Sequence, residues 1–338
     1  MNHPIDIKTK EPFIRKESKF NKFLVLENLE NNLLSHWHTW GLFQQKWTNR
    51  AYNTFKDLDK YIVIMYLVGK HWQNLSSKFH HLSMEEFYEK KKIEITKINL
   101  IQISNDLNIP KETIRRKINE LQKQKILVRE GKSIIFNKYG IEFQKPYESI
   151  ELLSTFIEKK SIMLKGNTWF GEELNKKQIL TFIKKYFTVV WLRFFKLQIP
   201  FLIRHRTTFQ DLQTWIVWGN IALAHQYHLQ KAQDEKIVKE DINLQNYYKS
   251  VTSANLKRGI NASSISDISN IPRATVIRKL KWLLKHDCVK KNKDSEYQMK
   301  SSGSLNKKIN ENFILNQNCV AEFLTDVFDY MKNSNFKL

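Results

Sequence analysis

The chain has 338 residues, of which 41% are hydrophobic and 12% aromatic, with only nine glycines and six prolines. This length suits about two to three domains with buried cores, and the scarcity of glycine and proline disfavours a turn-rich all-β fold, so we expect a mainly α fold with small β elements. The formal net charge of +22 predicts a polyanionic partner, a nucleic acid or an anionic membrane, although an AT-rich genome can raise the lysine content without function.

Residues 1–25 carry scattered charges and no apolar segment of signal-peptide length, so we interpret them as a basic N-terminal arm. Cys288 and Cys319 are too few for a disulfide framework, which favours a reducing compartment. The apolar runs 61–69 and 189–203 are too short or too often interrupted by charge to span a membrane. We expect a cytoplasmic, nucleoid-associated protein that does not contact a membrane.

Two different segments of the sequence each occur in two similar copies. Residues 54–63 (TFKDLDKYIV) match 208–217 (TFQDLQTWIV) at six of ten positions, and residues 103–123 match 265–285 at ten of 21 positions, with an offset of 162. A repeated unit of this size predicts a tandem duplication of a domain and excludes a solenoid of short repeats. The predicted organisation is an arm at 1–25, module one at 26–160 with a winged helix at about 92–138, a linker at 161–175, and module two at 176–338 with a winged helix at about 255–300 and a C-terminal helix.

The first copy of the shorter repeat reads ISNDLNIPKETIRRKINELQK. Residues 103–107 predict a short helix, Asn108 and Ile109 a turn, and Pro110 the first residue of the next helix, where its missing N–H costs nothing. The apolar residues Ile114, Ile118 and Leu121 then recur with helical spacing, as do Val276, Leu280 and Leu283 in the second copy. This pattern is typical of a helix-turn-helix whose second helix turns basic residues outward.

Two short β-rich runs follow each of these helices. Residues 126–129 and 133–136 flank Glu130, Gly131 and Lys132, and residues 289–291 and 297–299 flank 292–294. Such spacing predicts a β-hairpin, and a helix-turn-helix followed by a hairpin is a winged helix.

The stretches IPKETIRRKINELQKQKILVRE (109–130) and IPRATVIRKLKWLLKHDCVKK (271–291) resemble the recognition helix and wing of winged helix-turn-helix transcription regulators of the Crp-like and MarR-like kind. The resemblance implies binding to operator DNA, with Arg116 and Arg278 as matched arginines that face the bases. It covers about forty residues in each copy. The predicted DNA-binding residues are Lys111, Glu112, Thr113, Arg115, Arg116, Lys117 and Lys132 in the first copy, and Arg273, Thr275, Arg278, Lys279, Lys281 and Lys293 in the second.

Other residues suggest further sites that we weigh against simpler explanations. The tryptophans, among them Trp37, Trp72 and Trp191, could line a pocket for a small-molecule effector, but their helical spacing favours a role as core residues. The pairs His36 with His38 and His225 with His228 lack a Cys or carboxylate to complete a metal site. Since no nucleotide-binding, metalloprotease or hydrolase motif occurs, we predict no enzyme activity, no cofactor and no metal.

The repeated aspartates Asp57 and Asp211 are expected to cap helices or to pair with Arg50 and Arg204. Taken together, these patterns predict a transcription regulator that binds double-stranded DNA as a fused pseudo-dimer, either monomeric or as a homodimer. Because the two helices differ at several outward positions, the operator should be asymmetric. Two alternatives remain open: a plasmid-type replication initiator with paired winged helices, and a winged-helix scaffold that binds proteins.

Overall fold

The computed structural model describes residues 21–76, 81–90, 93–95, 99–131, 133–137, 146–164, 174–234, 243–245, 247–253 and 258–334. Most of the predicted arm and of the predicted linker lies outside these residues, as does Lys132. The described residues are mostly helical with two small antiparallel sheets, which confirms the predicted mainly α class. The elements are α1 Lys22–Asn31, α2 Leu33–Phe55, α3 Leu58–Ser76, α4 Met84–Glu89, β1 Ile93–Ile95, α5 Leu100–Leu107, α6 Lys111–Lys123, β2 Leu127–Glu130, β3 Ser133–Phe136, α7 Tyr147–Met163, α8 Lys176–Lys185, α9 Phe187–Thr208, α10 Leu212–Asp234, α11 Tyr247–Ser253, α12 Ala262–Ser269, α13 Arg273–Lys285, β4 Val289–Lys291, β5 Tyr297–Met299 and α14 Asn306–Asn333.

The chain forms two compact units. Unit 1 holds the described parts of Met1–Lys22, Thr54–Ile203 and Glu322–Leu338, and unit 2 holds Phe23–Asn53 and Arg204–Ala321. Unit 1 contains β1, α5, α6, β2 and β3, which we call the N-terminal head, and unit 2 contains α12, α13, β4 and β5, which we call the C-terminal head. Each unit draws residues from both predicted modules, whose boundaries rest on the sequence repeat and stay a prediction.

The turn of the N-terminal head forms where the sequence predicts it. Helix α5 begins at Leu100, because the side chain of Asn99 accepts hydrogen bonds from two backbone N–H groups of its first turn. It ends at Asn108, whose left-handed backbone (φ 50°) suits an asparagine better than most residues. The hydroxyl of Ser104 donates to the carbonyl of Ile109 at 2.7 Å and closes the turn, after which Pro110 precedes α6.

The C-terminal head has the same local construction. Asn261 caps α12, Asn270 ends it with φ 55°, and Pro272 precedes α13. The hydroxyl of Ser266 donates to the carbonyl of Ile271 at 2.8 Å, as Ser104 does in the other head. Two heads with different side chains therefore share one way of placing the second helix against the first.

A small sheet follows each second helix. In the N-terminal head β1, β3 and β2 form an antiparallel sheet in that order, and Gly131 takes a positive φ of 61° in the hairpin, where a residue with a side chain would be strained. In the C-terminal head β4 pairs with β5, and Ile260 bridges to Tyr297 beside them. Gly259 is required at this bridge, since a Cβ there would lie 2.4 Å from the carbonyl oxygen of Tyr297.

Large aromatic side chains form the core of each unit. In unit 1 the ring of Trp72 stacks on that of Phe195 at 5.1 Å, and in unit 2 Trp37 meets the edge of Phe313 at 4.7 Å. The tryptophans singled out in the sequence as core residues are all buried, with Trp37, Trp72 and Trp191 exposing 3%, 2% and 6% of their surface. Their burial supports the core interpretation over an effector pocket.

The C-terminal helix predicted for module two is α14, in which Val320, Leu324, Val327 and Met331 are almost completely buried. Helix α7 packs on α8 within unit 1. None of the described helices is by itself long and apolar enough to cross a membrane, while α8 and α9, which meet at an angle of 101°, pass that test as a bent pair.

The left-handed turn residues can be tested by substitution. Asn108→Ala and Asn270→Ala should each lower the free energy of unfolding by about 1 kcal/mol, because a Cβ without a hydrogen-bonding side chain is strained at φ near 50°. Glycine at the same positions should be tolerated. Urea denaturation compares the alanine and glycine variants, and equal stability of the two at both positions would contradict this explanation of the turn.

Candidate nucleic-acid interface

Helix α6 has one buried face and one exposed face. Ile114, Ile118 and Leu121 are buried as predicted, with 0%, 5% and 0% of their surface exposed. The opposite face consists of polar and charged side chains near the start of the helix, where a winged helix approaches the bases. The predicted DNA-binding residues on this face are Lys111, Glu112, Arg115 and Arg116, which are exposed, and Thr113, which is partly exposed.

Two carboxylates of α6 are hydrogen-bonded or ion-paired to the arginines. Glu112 accepts hydrogen bonds from Arg115 at 2.7, 3.0 and 3.2 Å, and these bonds hold the pKa of the Glu112 carboxyl below its usual value. Glu120 lies 3.8 Å from the Nε of Arg116. The exposed face of α6 therefore carries its cations next to negative charge.

Helix α13 presents a different face. Arg273, Arg278 and Lys281 are exposed, and Thr275 is partly exposed. The guanidinium of Arg273 donates a hydrogen bond to the hydroxyl of Ser263 at 3.2 Å. Helix α13 contains no Asp or Glu. In the hairpin that follows, Lys293 lies exposed in the turn between β4 and β5.

Two predicted DNA-binding residues lie on the buried side instead. Lys117 of α6 and Lys279 of α13 expose only 8% and 9% of their surface. The Nζ of Lys117 lies 2.5 Å from Asp57 in unit 1, and the Nζ of Lys279 donates to Asp211 in unit 2. Their placement does not suit the predicted contact with DNA, because each ammonium group points away from the exposed face and already has a carboxylate partner.

The helical pattern contained a signal for this placement. Position 117 falls between Ile114 and Leu121 on the stripe of buried residues, three after the first and four before the second. Sequence reasoning assigned Lys117 by its charge and not by its position in the helix. The matched Lys279 was misplaced for the same reason.

The aspartates that hold these lysines also begin the long helices α3 and α10. Asp57 accepts hydrogen bonds from the backbone of Asp59 and Lys60, and Asp211 accepts from the backbone and hydroxyl of Thr214. The predicted capping role is therefore correct. Capping is thus the alternative that holds, and the charged partner of Asp211 is Lys279, whereas Arg204 donates to Asn316 at 2.6 Å.

In the N-terminal head, Lys117 belongs to a network of charged side chains that also includes Lys60 and Glu120. Glu120 lies 3.4 Å from Lys117 and 3.9 Å from Lys60 in addition to its contact with Arg116. On α5, Asp106 accepts a hydrogen bond from the hydroxyl of Tyr66 and lies 3.8 Å from Lys70, both on α3. Burial and the bond to Asp106 raise the pKa of Tyr66, so it stays protonated and donates. These contacts attach both helices of the head to α3.

The histidines considered as metal ligands show other roles. The ring Nε2 of His225 lies 2.7 Å from the carbonyl oxygen of Val251, and burial lowers the pKa of His225 to about 4, which keeps it neutral. Among the described residues, no group of three or more His, Cys, Asp or Glu side chains is arranged to hold a metal ion.

Comparison with known proteins identifies one domain. Residues 94–134, which include most of β1, all of α5, α6 and β2 and the first residues of β3, match the family model of the DeoR-like helix-turn-helix domain. No curated protein and no solved structure matches the chain significantly. The N-terminal head is thus a DNA-binding helix-turn-helix, and the match supports a transcription regulator that binds double-stranded DNA.

The buried lysines and the exposed arginines should respond differently to substitution. Lys117→Met keeps the length of the side chain but leaves Asp57 without its cation, so the free energy of unfolding should fall by about 1–3 kcal/mol. Arg116→Met, at a side chain that is 65% exposed, should change it by less than about 0.5 kcal/mol.

Lys279→Met and Arg278→Met form the matched pair in unit 2, with the same expectation. Chemical denaturation of the four variants measures the difference. A Lys117→Met protein as stable as its Arg116→Met counterpart would show that the ion pair does not hold the recognition helix.

Proposed function

We propose that the chain is a sequence-specific transcription regulator that uses its two heads on one asymmetric operator. The observation that carries this proposal is the DeoR-like domain at 94–134, whose second helix exposes Arg115 and Arg116. Arginines on the exposed face of such a helix can bond bidentately to guanine in the major groove. The net charge of +22 adds a long-range attraction for phosphate.

The local geometry of the C-terminal head supports a second DNA contact. Its turn, its proline before the second helix and its buried lysine with a capping aspartate all have counterparts in the N-terminal head. Arg278 occupies the position that corresponds to Arg116, and it is exposed. Two such heads in one chain would do the work of the two subunits of a dimeric regulator.

The two heads should read different bases. At matched positions 162 residues apart, Arg115 corresponds to Ile277 and Glu112 to Ala274. Arginine selects guanine by hydrogen bonds, whereas an apolar side chain can only contact a group such as the thymine methyl. A regulator built in this way binds an operator whose halves are not related by symmetry.

Selection of bound duplexes from random DNA by the purified full-length chain tests this function. We expect enrichment of one sequence with two unlike halves. Recovery of random sequences, with no preference over competitor DNA, would contradict the proposal. The mass of the complex on the selected duplex shows whether one or two chains bind.

Single arginine substitutions should affect one half of the operator at a time. Arg116→Ala should cost about 1–3 kcal/mol in binding and relax the sequence preference in one half, and Arg278→Ala should do so in the other half. Titration of duplexes with single base changes measures both effects. The controls are Lys177→Ala on α8 and Lys249→Ala on α11, which remove an exposed cation from each unit outside the heads. Equal losses in all four variants would mean that only overall charge matters.

A further inference from the structure

The exposed faces of α6 and α13 differ in their content of carboxylates. Helix α6 carries Glu112 and Glu120, whereas no Asp or Glu occurs in α13. The matched residues, 162 positions later, are Ala274 and Trp282. The two heads share their backbone construction, so this difference in charge is a property of the side chains alone.

Glu112 occupies the edge of Arg115 that would otherwise bond to a base. Its two oxygens accept from Nε and Nη2 of Arg115 at distances of 2.7 to 3.2 Å. Both side chains are exposed, at 75% for Glu112 and 60% for Arg115, so the pair stands on the surface that faces DNA. Arg115 must exchange this carboxylate for a base acceptor before it can bind guanine bidentately.

Arg278 has no such restraint. It is exposed, and it forms no ion pair with any carboxylate among the described residues. At the start of the same helix, Arg273 donates to the neutral hydroxyl of Ser263. Apart from the buried Lys279, the cations of α13 therefore lack the carboxylate partners that α6 provides on its own exposed face, and this adds a sequence-independent attraction to phosphate.

We propose that Glu112 makes the N-terminal head the more discriminating head, and that the C-terminal head, whose α13 has no carboxylate, reads its half-site through Arg278 but contributes the larger sequence-independent share of the affinity. This proposal rests on the DNA binding proposed above. Phosphates repel the Glu112 carboxylate, so a duplex binds well only if it offers a donor to Glu112, such as the amino group of cytosine, and an acceptor to Arg115. Other sequences lose the Glu112–Arg115 bonds without replacement.

The first test is Glu112→Gln in the full-length chain. Affinities are measured by fluorescence anisotropy for the selected duplex and for a shuffled duplex of the same composition. Removal of the charge should raise affinity for the shuffled duplex roughly tenfold and lower the ratio of the two affinities by at least as much. Glu89→Gln, an exposed residue at the end of α4, is the matched control for loss of one negative charge and should leave the ratio unchanged.

The reciprocal test is Ala274→Glu, which gives α13 the carboxylate that α6 has. Affinity for both duplexes should fall roughly tenfold, and the dependence of log K on log salt should become shallower by about one unit. A glutamate in the first turn of a helix is favourable for the helix, so this variant remains folded, which a melting curve verifies.

Each outcome separates this inference from the proposed function. If the wild-type chain binds no duplex, the proposed function fails, and the inference fails with it. If the wild type prefers the selected duplex but Glu112→Gln keeps the same ratio, or Ala274→Glu keeps full affinity, only the division of labour between the heads is overturned.

Discussion

The ion pair between a buried lysine and the aspartate that caps a long helix determines which face of α6 and of α13 is exposed. Lys117 with Asp57, and Lys279 with Asp211, attach the helix through its inner side. A buried ammonium group is stable only when a carboxylate compensates its lost hydration, so the pair restricts the rotation of the helix about its axis. The arginines one position earlier, Arg116 and Arg278, are thereby turned outward.

The buried faces of α6 and α13 are held in the same way, whereas their exposed faces carry different side chains. The proposed function rests on these differences. Glu112 and Arg115 form a bonded pair on α6, while their counterparts Ala274 and Ile277 on α13 cannot do so. The same framework can thus hold one helix that carries carboxylates among its cations and one that carries cations alone. Under the proposed function, the first head would contribute more of the selectivity and the second more of the sequence-independent affinity.

Much of each head could be predicted from the sequence because its determinants are local. The turn at Asn108, the helix after Pro110 and the strand Ser133–Phe136 follow from the chemistry of a few neighbouring residues, and all are observed. The partner of Lys117 could not be predicted, since Asp57 lies sixty residues earlier and no local pattern connects the two. The repeat of Asp57 at Asp211 and of Lys117 at Lys279 was visible, yet only the folded chain shows that they meet.

The sequence also could not predict which segments of the chain make up each compact unit. Residues 23–53 belong to the unit that contains Arg204–Ala321, a grouping that depends on long-range packing of aromatic side chains such as Trp37 against Phe313. Helical spacing identified these residues as buried but could not name the surface that covers them. The helical spacing of apolar residues identifies the buried face of a helix but does not identify the element that packs against that face.

Protection of guanine N7 from dimethyl sulfate on the selected duplex tests the central claim most directly, because it reports contact in the major groove. We expect two separate groups of protected guanines, one lost in Arg116→Ala and the other in Arg278→Ala. Protection that both variants retain unchanged, or no protection in the major groove, would contradict the assignment of α6 and α13 as two recognition helices.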